Sequence, residues 1–109
     1  MNRLLPLFLA AALSTMAFAQ DDVEKVKSVV KSGRCSDAIA PLQKIYNASF
    51  RKLEGEKASV MLAECYLRTG KKDDAYDVAS RFLEYHVKSA YRERMELARA
   101  VVDVEKGSV

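Results

Sequence analysis

Chemistry in this chain would have to come from a short roster: Cys35 and Cys65, a single histidine at position 86, and 15 carboxylates spread along 109 residues. One imidazole without a neighbouring Cys or His cannot assemble a zinc site. No Ser or Cys has a sequence-visible base and orienting acid beside it, as nucleophilic catalysis requires. A redox enzyme would want a Cys-x-x-Cys pair or a cationic cluster to poise a thiolate, and neither is present. An enzyme of another kind would need acids or thiols grouped in one pocket, and no such grouping is visible. The sequence therefore predicts no catalytic residue, no metal ligand and no cofactor site. His86 reads as a helix-end or packing residue, and Tyr76, Tyr85 and Tyr91 as amphipathic side chains at helix contacts. Asn47-Ala48-Ser49 is an N-glycosylation sequon that matters only in a eukaryotic secretory pathway.

The two cysteines take their meaning from the N-terminus. Met1-Asn2-Arg3 supplies one positive charge, Leu4–Leu13 is apolar apart from Pro6, and Ala17-Phe18-Ala19 ends the segment with small residues. Residues 1–19 thus read as a secretory signal peptide cleaved after Ala19, with a periplasmic or secreted product that begins at Gln20. The apolar run of about ten residues is roughly half of what a bilayer core asks of a helix, so no membrane span is expected in the mature chain. In an oxidising compartment an even pair of cysteines is first a disulfide candidate. The other reading makes Cys65 a small buried hydrophobe and Cys35 a free thiol.

Half of the residues are hydrophobic and 30% are charged, with 18 basic against 15 acidic side chains. The net charge of +3 is too weak and too interspersed with acids to announce a nucleic-acid or anionic-membrane surface. Residues 20–109 suffice for one modest helical domain, small enough that a crosslink or a partner would add noticeably to its stability.

The elements that must position any site are helices. Val23, Val26, Val29 and Val30 recur at helical spacing after Asp21 and Glu24, which are placed like a capping box. Gly33 offers a left-handed stop. Ser36-Asp37 provides caps for a second helix carrying Ala38, Ile39, Leu42, Ile45 and Tyr46, with Pro41 expected in or just beyond its first turn. Asn47-Ala48-Ser49 should loosen the chain before a third helix that starts between Phe50 and Lys57. From Val60 to Leu67 only Glu64 is charged, so this helix should be covered on nearly every side. After Gly70, Asp73-Asp74 opens a fourth helix with the stripe Ala75, Val78, Ala79, Phe82 and Leu83. A lapse at Val87–Ser89 precedes a fifth with Tyr91, Met95, Ala98, Val101 and Val102, more polar on its outside. Gly107-Ser108-Val109 should fray.

Two of these corners repeat. The ten residues from Val29 to Ala38 align without gaps on Tyr66 to Ala75, with Gly, Asp and Ala identical and four further positions alike in kind. The glycine turns the chain, the acid favours the next helix start, and the alanine lets two helices close tightly. Repetition of this sort means stacked helical hairpins, each too thin to bury its apolar face alone.

At these residues the sequence resembles the tetratricopeptide repeat family. Leu62-Ala63, Tyr66, Gly70, Ala75, Ala79 and Phe82 fall at the family's spacing, and Val26, Val29, Gly33, Ala38, Leu42 and Ile45 form a weaker first copy. The positions that define the repeats are Gly33, Ala38, Ala63, Tyr66, Gly70 and Ala75. The pattern departs from the family's in its longer period, in lacking an opening Trp and a closing Pro, and in placing Ala79 before Phe82. The resemblance implies an all-α chain of stacked antiparallel hairpins, a fragment of a right-handed solenoid, with the fifth helix as a C-terminal cap. It also implies binding of a protein or peptide along a concave face. In this register Lys27, Val30, Lys31, Lys57, Glu64, Leu67 and Arg68 point there, and a mostly basic groove would favour acidic or C-terminal carboxylate segments. The Asn residues of the family's carboxylate-clamping pattern are missing, so that specificity is not expected. Stacked hairpins would also bring Cys35 and Cys65 to one edge. The expected function is a non-catalytic interaction or assembly module of the bacterial envelope. The alternative is a small homo-oligomeric envelope component that pairs through an exposed apolar helix edge.

Overall fold

A computed structural model describes residues 22–107. The signal-peptide segment with its cleavage position, Asp21 of the expected capping box, and the Ser108-Val109 end all lie outside the described residues. The fold is all-α. Residues 22–31 form α1, followed by α2 (Cys35–Ser49), α3 (Leu53–Arg68), α4 (Lys72–Tyr85) and α5 (Arg92–Glu105), and no strand occurs among the described residues.

The repeated decad builds the same corner twice. Gly33 and Gly70 adopt φ of 85° and 79°, where a side chain would be strained. Around each, the chain closes a Schellman motif: Gly33 N–H donates to the Val30 carbonyl and Arg34 N–H to that of Val29, and Gly70 and Lys71 do likewise to Leu67 and Tyr66. These bonds satisfy carbonyls that a helix end otherwise leaves open.

The helix starts differ from expectation. Arg34, not Ser36 or Asp37, precedes the first residue of α2, and no side chain caps it. The Schellman turn leaves Arg34 placed so that its own carbonyl accepts from Asp37 and Ala38 N–H, and the helix begins at once. Asp37 in α2 and Asp73 and Asp74 in α4 then sit in first turns, where negative charge meets the positive helix end. The earlier start puts Pro41 inside α2, beyond the first turn, so the Asp37 carbonyl has no N–H to receive from the usual position. Asn47-Ala48-Ser49 does not loosen the chain; it is the last turn of α2, and the reversal is confined to Phe50, Arg51 and Lys52. Such a short reversal forces the end of α2 against the start of α3. A Cβ on Gly55 would lie 1.9 Å from the Ser49 carbonyl oxygen, so only glycine fits.

α3 is the centre, packing against α2, α4 and α5. Its Ala58, Val60, Leu62, Ala63, Cys65 and Tyr66 are all buried. Ala38, Ala63, Ala75 and Ala79 are wholly inaccessible, which lets the neighbouring backbones approach closely. Contacts between helix ends fix the directions. His86 after α4 meets the Phe50 carbonyl after α2, and Ser89 before α5 meets Glu56 early in α3. Lys72 at the start of α4 pairs with Glu105 at the end of α5 at 2.7 Å. α2 and α4 therefore run one way and α3 and α5 the other, with the Gly33 and Gly70 corners at one end of the molecule. At that end Asp73 also accepts a hydrogen bond from Lys106 and raises its pKa above the usual lysine value, with desolvation opposing and the charges of Asp73, Asp103 and Asp77 adding to the rise. The resulting attraction is present through neutral pH and is lost as pH rises through the lysine range.

The outside of α5 is less polar than its sequence led us to expect. Leu97, Val101 and Val104 form an exposed stripe at helical spacing on the face turned away from Met95, Ala98 and Val102.

The close approach at Gly55 gives a direct test of the α2–α3 corner. Gly55→Ala should lower the unfolding free energy by about 1–3 kcal/mol, the usual penalty of overpacking, read from the shift of the urea midpoint.

Candidate functional site

α1, α3 and the start of α5 line one side of the molecule and leave a groove of about 420 Å³ between them. The apolar stripes of α1 and α3 reach its floor through Val23, Val30, Val60 and Met61, and Tyr91 lines it from the turn into α5. Around that floor stand Lys27 and Lys31 from α1, Lys57, Glu64 and Arg68 from α3, and Arg94 from α5. Five cations thus face one acid, and Glu64 is itself ion-paired with Arg94. Lys27, Lys31 and Lys57 have no acidic partner among the described residues. The Arg94 guanidinium also lies 5.8 Å from the centre of the Tyr91 ring.

Six of the seven residues expected on a concave face, Lys27, Val30, Lys31, Lys57, Glu64 and Arg68, come together in this groove. Leu67 does not. It borders a neighbouring depression of about 310 Å³ between α3 and α5, with Leu97 and Val101, and Glu64, Arg68 and Arg94 stand on the ridge between the two. Val23, Val60, Met61, Tyr91 and Arg94 were not anticipated. The apolar run from Val60 to Leu67 points to central core and the fifth helix to a cap, so neither marks the groove wall in sequence. The spacing of Tyr91 and Arg94, one turn apart at the start of α5, was the available signal.

The residues expected to define the repeats occupy structural positions. Gly33 and Gly70 make the corners, Ala38, Ala63 and Ala75 have no exposed surface, and Tyr66 is buried with its hydroxyl receiving a hydrogen bond from Gln43.

Cys35, in the first turn of α2, and Cys65, near the end of α3, are both buried, with Cα atoms 5.0 Å apart and sulfurs at bonding distance. Arg68, one turn beyond Cys65, reaches back to 3.8 Å from the Cys35 sulfur while lining the groove. The pair therefore stands directly behind the groove wall, where it ties α2 to α3.

His86 follows α4 and donates from Nε2 to the Phe50 carbonyl at 2.8 Å. Its ring sits among Phe50, Phe82 and Tyr85, at centroid distances of 5.1, 5.0 and 4.9 Å. Tyr76 lies 6.0 Å from the Arg99 guanidinium and Tyr85 5.6 Å from that of Arg51, arginine contacts that helical periodicity does not announce. Asn47 is exposed on the last turn of α2. Among the described residues, no three His, Cys, Asp or Glu side chains are grouped so as to hold a metal ion. Comparison with protein-family models, curated proteins and solved structures finds no match for this chain.

A bridge between Cys35 and Cys65 would close a loop of 30 residues. In the chain-entropy account such a loop adds roughly 3–4 kcal/mol to stability. The chain purified without reductant should weigh two hydrogens less than its dithiol form, and Cys35→Ser with Cys65→Ser should lose that stability in urea unfolding.

Proposed function

We propose that this chain is an exported, non-catalytic binding module of the bacterial envelope, built from two hairpins similar to tetratricopeptide repeats and a closing helix, and that its groove takes an acidic protein segment. The observation that carries this reading is the imbalance of charge at the groove: Lys27, Lys31, Lys57 and Arg68 surround an apolar floor, and the one acid there among the described residues, Glu64, is engaged by Arg94. Carboxylates of a partner would meet cations that have no acidic counterpart among the described residues, while its apolar side chains would cover Val30, Val60 and Met61. The Cys35–Cys65 pair behind the wall would keep α1, α2 and α3 in register, so that little ordering remains to be done on binding. The apolar leader supports export.

A second reading, self-association, draws on the exposed stripe of Leu97, Val101 and Val104. Three side chains fall well short of the roughly 800 Å² per partner of a stable interface, which places this reading behind the first.

A labelled peptide of alternating Glu and Leu should bind the wild-type chain with an affinity that falls as salt is raised. Lys27→Glu with Lys31→Glu should weaken it about tenfold or more, two exposed ion pairs being lost and two repulsions gained. Fluorescence anisotropy reads both. A peptide that ignores the chain, or binds wild type and variant alike, ends the groove reading; a dimer in sedimentation that Leu97→Glu dissociates would put self-association first.

A further inference from the structure

The end of the molecule opposite the glycine corners carries a second surface, separate from the groove. Two chain reversals meet there, the Phe50–Lys52 turn and the stretch from His86 to Ala90, joined by the His86–Phe50 and Ser89–Glu56 hydrogen bonds. Each puts a large apolar side chain into solvent: Leu53 is 57% exposed and Val87 55%, with Tyr85 at 48% beside them. Each also sets cations next to it. Arg51 lies over the Tyr85 ring, Lys52 precedes Leu53, and Lys88 follows Val87. Lys52 and Lys88 have no acidic partner among the described residues. Of the acids within two residues or one turn of these stretches, Glu56 is held by Ser89 and Glu54 is half-buried, which leaves Glu84 and Glu93 exposed.

We infer that this end docks on an anionic lipid surface, with Leu53, Val87 and the Tyr85 ring entering the headgroup boundary and Arg51, Lys52 and Lys88 meeting lipid phosphates. Apolar side chains at a tip, an aromatic ring with a polar edge and flanking basic residues are the composition that interfacial binding selects. The attraction needs both parts, because a few apolar side chains alone bind marginally and each nearby Lys or Arg adds to the hold on an anionic surface. Where the chain enters the fold points the same way. α1 runs toward the glycine end, so the chain preceding Asp22 joins it from the end that bears Leu53 and Val87. That preceding sequence includes the apolar run Leu4–Leu13. Docked so, the long groove faces stand clear of the membrane, open to a partner. Among the described residues no helix is long and apolar enough to cross a membrane, so the contact is with the surface.

The chain contains no tryptophan, which makes a positional test clean. In the full chain, Leu53→Trp places a reporter at the tip, and Val104→Trp places one on an equally exposed site near the other end of α5. With vesicles of phosphatidylglycerol and brominated phosphatidylcholine, emission from position 53 should shift to the blue and be quenched, and emission from position 104 should not. In the chain from Gln20, which keeps the whole described core, adding Lys52→Ala and Lys88→Ala should lower partition onto these vesicles roughly thirtyfold. Vesicles of phosphatidylcholine alone should bind it weakly. The inference is overturned if positions 53 and 104 report alike, if position 53 stays unquenched on sedimented vesicles, or if the alanine pair leaves partition unchanged. A blue shift at position 53 that grows with protein concentration in the absence of lipid would overturn it too, by showing that a second copy covers the tip.

Discussion

The close approach of three helices to α3 is the constraint on which the rest of the structure depends. A helix covered by α2, α4 and α5 can carry little bulk where backbones cross, and the positions with no exposed surface are largely alanines: Ala38, Ala58, Ala63, Ala75 and Ala79. Gly55 carries the same demand to its limit, since even a methyl group would overlap the carbonyl of Ser49. Larger side chains fill the spaces between crossings, with Leu42, Leu62, Phe82 and Met95 nearly inaccessible. The core therefore combines near contact of backbones at small residues with interdigitation of large ones, and dense packing of both kinds lets so short a chain keep one arrangement.

Much of this was legible in sequence because it follows from local rules. The stripes of valine in α1, of Ala75, Val78, Ala79, Phe82 and Leu83 in α4, and of Met95, Ala98 and Val102 in α5 have helical spacing, although Val101, expected in the last of these, is exposed, and the repeated Gly-to-Ala decad marks two equal corners. The errors were also local, and they share a cause. Ser36-Asp37 and Asn47-Ala48-Ser49 are residues that favour caps and turns by propensity, yet the first pair lies inside the opening turn of α2 and the second run closes it. The Schellman bonds at Gly33 complete the preceding corner before Ser36 is reached, and burial of Ile45 and Phe50 carries α2 on past Asn47. Tertiary packing outweighs a propensity of a few tenths of a kcal/mol per residue.

The two surfaces show a different limit. The groove was partly foreseeable, because Lys27, Val30 and Lys31 lie on one helix face and Lys57, Glu64 and Arg68 on another, and a repeat register says that those faces adjoin. Tyr91 and Arg94 enter it from α5, which no register covered. The basic tip was not foreseeable from charge. A net of +3 over the whole chain is uninformative, and Lys52 and Lys88 are brought to one end only by reversals that lie far apart in sequence. Whole-chain charge speaks about solubility and steering, whereas the placement of a few unmatched cations decides what a surface attracts.

Placement also makes the two surfaces compatible. The groove runs along α1 and α3, parallel to the helices, and the tip lies where those helices begin. A contact at the tip leaves the groove walls uncovered, and a segment lying in the groove leaves Leu53 and Val87 exposed. The Cys35–Cys65 pair sits at the far end from the tip, so the crosslink it can form braces the groove where lipid would not. Binding at one surface would then alter affinity at the other only through the elements they share, α3 and the turn into α5. Because α3 is held on three sides by close-packed helices, it has little freedom to transmit a change, and the two contacts should act independently.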